Sequence, residues 1–459
     1  MSSKKVSRRN FLKATGLGLG GAALAACTPA EPAASVAPAA AATAEPAATI
    51  APAATVAPAA TEPAKEPITI RYGRHDPSDG IVPTIKAFEE ANPGIKIAVE
   101  MVGEFNEKIP AMAAAGTLPD VVRSWEAMVL ELGRSSQFID VQSFVDTTSD
   151  FNPEDFYENW WNYPVAEGKR FGIPDAIAPH VTYYNAKLFD EKGVEYPDPK
   201  NFTWTDFEKK ARAISDPDNK IWGSESIPVG WHYYSLKQVW QNGGDFFSSD
   251  YKTSMMDKPE AIEAIDYWAG LLLDGNVMPT PSQIVGMGGD GAAAELMSAG
   301  KLGMQRMGSW ITGGLIEAGI KFNIVPEPSK DRRDTITHGA FNAISASSEH
   351  KDEAWQWIHA NCSTEGIYNY CSLAKFPGAR RTTNKMEPKP WIAQVDWDVN
   401  WDVIPQALEY GHVLPGPCQE GEALKVIGDA LQTIYAGDAK AADLFPEISP
   451  KVTKILQDC

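Results

Sequence analysis

The ordered part of the chain announces itself at Ile68, where Ile-Thr-Ile-Arg-Tyr alternates apolar and polar positions and predicts a half-buried strand. Residues 81–94 then place Ile81, Ile85 and Phe88 on one helical face before Asn92-Pro93-Gly94 ends the helix. Ile95–Met101 alternates again, an alanine-rich helix stops at Gly116, and Val121-Val122 begins a third strand. Strand, helix and strand in succession predict an open α/β sheet with parallel neighbours. Ligands of such sheets gather beyond the carboxyl ends of the strands. His75-Asp76 and Trp125-Glu126 directly follow the first and third strands, so both pairs are expected at that edge. Further helices are predicted over 258–275, 351–361 and 422–437.

The first 67 residues have a different texture. Lys4, Lys5, Arg8 and Arg9 precede a short apolar stretch, Leu12–Ala26, that is rich in glycine and too short to span a bilayer comfortably. Ser-Arg-Arg-Asn-Phe-Leu-Lys resembles the twin-arginine export motif. Leu24-Ala25-Ala26-Cys27 resembles a lipoprotein cleavage site, which implies removal of residues 1–26 and a lipid on Cys27. Residues 27–67 are almost entirely Ala, Pro, Thr and Glu, too poor in large apolar groups to offset ordering entropy. They are expected to form a disordered tether, reaching on the order of 100 Å at about 3.1 Å per residue. The resulting location is extracytoplasmic, at the outer face of the cytoplasmic membrane.

The chain has 459 residues, 44% of them hydrophobic, enough for a substantial core. Its net charge of −19 makes nucleic acid an unfavourable partner. Beyond Cys27 stand Cys362, Cys371, Cys418 and Cys459. In an exported chain they allow three pairings, with the local pair Cys362–Cys371 first and Cys418–Cys459 second, or four buried thiols. No cysteine spacing or histidine cluster suits a metal, and no cofactor motif is present, so no cofactor is expected.

Several segments occur in one order: AFEEANPGIKI, AAAGTLPDVV, FGIP followed by TYYNAKLFDEKGV, WQNGGDFF, GKLGMQRMGSW, KFNIVPEP and HGAFNAISASSEHKDEAWQWI. Together they resemble the family 1 extracellular solute-binding proteins, the sugar-capturing receptors of ABC importers that include maltose-binding protein. The resemblance is good from Ile68 to Ser372 and looser beyond. It implies a two-lobed periplasmic-binding-protein-like (type II) α/β fold with hinge crossovers, the lobes being 68–174 with 339–376 and 175–338 with 377–459. Crossings are implied near Ile173–Ala178, His338–Asn342 and Lys375–Arg380. The implied activity is non-enzymatic capture of a carbohydrate, with delivery by a monomer to a membrane permease.

A sugar offers apolar C–H faces and a rim of hydroxyls, so aromatic platforms and fixed donors and acceptors are the residue types to seek. By position in the resemblance, Trp310 after Gly308-Ser309 and Trp231 in Pro-Val-Gly-Trp-His-Tyr-Tyr are platforms, against core packing. Trp125 and Glu126 offer a platform and an acceptor, against a surface pair. His75 and Asp76 are early contacts, with turn capping by Asp76 as the alternative. His180 and Asn342 lie near the first two crossings, and Arg380, or Arg381 in its place, near the third. Trp397 and Trp401, with Asp398 and Asp402, have the four-residue spacing of a half-buried helix. Two other readings are a secreted glycosidase, for which the sequence holds no specific signal, and a receptor for a phosphorylated polyol, which would need more cationic residues than the one arginine placed here.

Overall fold

The computed structural model describes residues 66–76, 79–227, 232–287, 292–416 and 420–458. The export segment, Cys27, the tether to residue 65, Trp231, Cys418 and Cys459 lie outside them. Strands β1 (Ile68–Arg74), β2 (Ile95–Met101) and β3 (Val121–Ser124) form as the alternation predicts. β1 pairs in parallel with β2 along its whole length and with β3 at Tyr72 and Gly73. The helices Val82–Ala91 and Phe105–Ala115 are the crossovers that parallel pairing requires.

A short hairpin, β4 (Val165–Ala166) with β5 (Lys169–Arg170), leads into β6 (Ile173–Asn185). β7 (Trp222–Ser224), β8 (Leu302–Gly308), β9 (Phe322–Val325), β10 (Thr335–Ile344) and β11 (Gly411–Val413) complete the described strands. Their order is β2-β1-β3-β10-β6-β8-β7, with β11 on β10 and β9 on β6. β6 and β10 are the exceptional members. The first half of β6 pairs antiparallel with β10, Ile173 opposite Asn342 through Pro179 opposite Thr337. Its second half, from His180 to Asn185, pairs instead with β8 and β9. β10 meanwhile reaches back to β3 through Phe341–Ile344.

The apolar cores divide along the same two strands. One core joins Tyr72, Val121, Val129, Ile173, Ile177, Phe341, Ile344 and Ile358. Two others cover the second half of the sheet: Trp204, Phe207, Tyr234, Trp268 and Phe445 in one, and Val181, Tyr183, Trp222, Phe322 and Ile404 in the other. The result is a two-lobed α/β fold whose lobes share β6 and β10. Residues 375–380 lie against this ribbon, with Ile177 N–H donating to Pro377 O (3.0 Å) and Ala379 N–H to Asp175 O (3.1 Å). At Gly339 a Cβ would stand 2.4 Å from the Trp160 ring and 2.5 Å from Ala176 O, so only glycine lets the strands close here.

Two expectations are corrected. Cys362 and Cys371 are free, buried thiols, not a disulfide. Cys362 follows the helix Lys351–Asn361 and accepts from Asn342 Nδ2 at 3.4 Å, whereas Cys371 lies within the next helix, Thr364–Ala374, with its sulfur 3.7 Å from Pro377 O. Residues 396–402 are not helical. The Trp397 indole N–H donates to Phe322 O at 2.8 Å, and both tryptophans lay their edges on the Phe322 ring. Anchoring to a neighbouring strand replaces the helix that the spacing suggested. The helices Pro259–Asp274, Lys351–Asn361 and Glu420–Ala436 form where expected.

Candidate functional site

Parallel pairing ends β1 and β3 side by side, and the residues that follow them meet. The His75 and Trp125 rings are 4.4 Å apart, edge to face, and Phe105 lies 5.3 Å from the one and 4.9 Å from the other. Glu126 opens the helix Glu126–Arg134, where the helix dipole favours a carboxylate. Its Oε1 accepts the Gly339 N–H at 2.7 Å and lies 3.3 Å from His338 Nδ1. A wall from the first lobe is thereby tied to β10.

The shared strands supply the floor. His180 on β6 and His338 on β10 have ring centroids 5.0 Å apart. Tyr233 and Trp310 stand beside both imidazoles. Tyr233 is 4.7 Å from His338 and 6.0 Å from His180. Trp310 is 5.6 Å from His338 and 5.4 Å from His180, and at 39% exposure it is a platform open to solvent. The glycine two residues before it has a local reason. A Cβ on Gly308 would lie 1.8 Å from the Trp310 ring, which folds back over that backbone.

Beneath the floor lies a charged group sealed from water. Lys237 Nζ donates to Glu327 Oε1 at 2.8 Å with neither side chain exposed, and also stands 3.3 Å from His180 Nδ1. Arg306 donates from Nε to Glu225 Oε1 at 3.0 Å in the same lobe. Burial, with Lys237, His338 and Arg306 adding to it, pushes the His180 imidazole well below its ordinary pKa. Burial and then His338 lower His232 to about 4. Burial and then Arg123 lower His75 to about 4, with Asp76 opposing. These imidazoles are neutral at neutral pH, each with one donor and one acceptor nitrogen.

Of the residues predicted from sequence, His75, Trp125, Glu126, His180 and Trp310 come together in this row. Asp76 lies at its edge, with Oδ1 3.9 Å from His75 Nδ1, whereas Asn342 and Arg380 stand apart from it. Both Asp76 oxygens are taken by Arg74, Arg123 and Tyr370; burial alone would raise this carboxyl, but the two guanidiniums pull it well below the usual carboxylate range. Asn342 is fully buried, accepting from Tyr72 Oη at 2.7 Å and donating to Asp175 at 3.0 Å. Arg380 spends its guanidinium on the carbonyls of Cys362, Phe151 and Asn152, at 2.7 to 2.9 Å, as a brace against the first lobe. Arg381 is likewise turned to the carbonyls of Glu154 and Phe156. His338, Tyr233, Phe105 and Lys237 were not among the predicted residues. His338 opens the second crossing segment, and that placement was the one available signal for it. Among the described residues no group of three or more His, Cys, Asp or Glu is arranged to hold a metal ion.

The row is an aromatic and imidazole cluster, partly buried, of the residue types that suit a neutral, hydroxyl-bearing or flat apolar molecule. Known proteins agree with this architecture. A binding protein of Brucella abortus (strain 2308) is 22% identical over 380 residues, covering 81% of this chain and 88% of its own. The ABC substrate-binding protein from Listeria monocytogenes in complex with cycloalternan superposes with a TM-score of 0.76 at 23% identity, covering 86% of this chain and 98% of that one. An ABC transporter solute-binding protein from Thermotoga lettingae bound with α-D-tagatose gives 0.73 at 19% identity, covering 85% and 100%. Residues 74–365 match the profile of the bacterial extracellular solute-binding proteins, well over half the chain, and the chain belongs to that family.

Proposed function

We propose that this protein captures a neutral carbohydrate between its lobes and delivers it to an ABC importer at the outer face of the membrane, anchored by lipid on Cys27. One observation carries the reading: the row from Trp125 to Trp310 draws stacking rings from both lobes and imidazoles from the strands they share. Contacts made to both walls at once favour the closed form. The relatives' bound cycloalternan and tagatose support a sugar as cargo. The lobes are taken as 68–174 with 339–376 and 175–338 with 377–459, and the working form as a monomer. Nothing in the row favours hydrolysis, which needs two carboxylates flanking the scissile bond. Glu126 is held by Gly339 and His338, and Asp76 by two arginines.

Calorimetry against maltose, maltotriose, tagatose, arabinotriose and glycerol 3-phosphate tests this. At least one neutral sugar is expected to bind with micromolar affinity or better. Binding of glycerol 3-phosphate without binding of any sugar would overturn the assignment. Trp310→Ala is expected to weaken the best sugar about 30-fold or more, as loss of a central indole does, with an unchanged melting temperature. An affinity within about threefold of the parent would remove Trp310 from the site.

A further inference from the structure

The two imidazoles of the floor differ in what surrounds them. An ammonium has only hydrogens to give, so Lys237 Nζ, 3.3 Å from His180 Nδ1, requires that nitrogen to be the acceptor. Glu327, 2.8 Å from Lys237, keeps the ammonium charged and in place. The His180 hydrogen therefore resides on Nε2. At His338 the neighbour has the opposite polarity. Glu126 Oε1 lies 3.3 Å from Nδ1, and a carboxylate oxygen repels a nitrogen lone pair, so Nδ1 carries a hydrogen, which in the neutral ring leaves the lone pair on Nε2. Both Nε2 atoms are buried, and neither has a hydrogen-bond partner among the described residues. A buried polar atom without a partner is costly, so two of them on rings whose centroids are 5.0 Å apart point to a place where something binds.

We infer that His180 and His338 form a clasp of opposite tautomers for one hydroxyl group of the cargo, His180 donating from Nε2 and His338 accepting at Nε2. This rests on the carbohydrate reading and sharpens it. A hydroxyl gives and takes at once through a single oxygen, which suits rings 5.0 Å apart and tilted by 47°. A carbonyl or ether oxygen would meet one donor and one lone pair and lose half the clasp. An ammonium would meet the His180 N–H. A metal ion would need lone pairs on both nitrogens. Lys237 and Glu126 act as positioning residues, each fixing a tautomer through the nitrogen that faces away from the cargo.

Long-range proton–nitrogen NMR of the full chain labelled with ¹⁵N at histidine reads both tautomers without any ligand. His180 is expected as the Nε2–H form and His338 as the Nδ1–H form, with His180→Gln and His338→Gln identifying the signals. Identical tautomers at the two positions, or a protonated imidazole at neutral pH, overturn the clasp. Titration with maltotriose, tagatose and arabinotriose then separates the two ideas. A sugar that binds and shifts both Nε2 signals supports the clasp; a sugar that binds and leaves them unmoved overturns it while carbohydrate capture stands. If none of the three binds, opposed tautomers still support the pair, and it is the choice of sugar as cargo that fails. His338→Phe is expected to weaken a bound sugar about 10- to 100-fold, whereas His338→Gln, which restores an acceptor, stays within about threefold of the parent.

Discussion

Replacing Arg123 by methionine is expected to lower folding stability by about 3–5 kcal/mol, the cost of breaking a buried ion pair by removing one partner. Arg123 grips Asp175 with two nitrogens, at 2.7 and 3.0 Å, and reaches Asp76 at 3.2 Å. The pair with Asp175 is 4% exposed on each side. These contacts join β3, β6 and the loop after β1, and Asn342 of β10 donates to the same Asp175 carboxylate. Methionine fills much the same space and leaves Asp175 with an uncompensated buried charge. Urea denaturation of the parent and variant measures the difference. A loss below about 1 kcal/mol would show that Asp175 finds other compensation. Arg123→Lys is expected to recover only part of the loss, since one ammonium cannot replace the two-nitrogen grip.

The second large effect is on pH. His180 and His232 have folded pKa values below the ordinary 6.5, His232 at about 4 and His180 well below 6.5. Above about pH 7 both folded and unfolded chains hold these imidazoles neutral, and they contribute nothing to pH dependence. As pH falls through 6.5 the unfolded chain takes up protons that the folded chain refuses, so stability declines. At pH 5 the loss from His232 alone, with its folded pKa at about 4, is about 2 kcal/mol, and His180 adds a loss of the same sign. Glu225, whose carboxyl burial raises, works in the opposite sense, but His75, lowered to about 4, adds to the two imidazoles, making one group against three. The melting temperature at pH 5 is therefore expected to fall well below that at pH 7.5, with most of the decline between pH 6.5 and 4. An equal or higher value at pH 5 would mean that these imidazoles are not held neutral in the fold.

Local patterning disclosed the parts of the fold that local chemistry determines. Alternation marked β1, β2 and β3, and the parallel-sheet rule placed His75 and Trp125 at one edge, where their rings do meet. Pairing of β6 with β10 joins residues more than 150 positions apart, and nothing in either segment names its partner. The candidate residues that are engaged elsewhere share one cause. Asp, Asn and Arg suit hydroxyl binding, and the same groups suit bracing of buried strands. In Asp76, Asn342 and Arg380 the side chains turn inward to carbonyls, amides and counter-ions. Residue type was informative; side-chain direction follows from packing that only the assembled sheet defines. At 396–402 the four-residue spacing of Trp397 and Trp401 mimicked a helical stripe, yet the carbonyl of Phe322 captures the Trp397 indole.

The pairing of β6 with β10 also limits how the molecule can move. Ladder hydrogen bonds resist sliding of one strand along the other, while a two-stranded ribbon flexes easily across its width. Such a ribbon favours a page-turning motion over lateral slip as the expected mode of opening. His180 and His338 sit on the spine of that book, next to its last rungs at Ala178 and Pro179. Bending across that ribbon would also change the angle between the two imidazoles, so the proposed clasp lies on the mechanical axis.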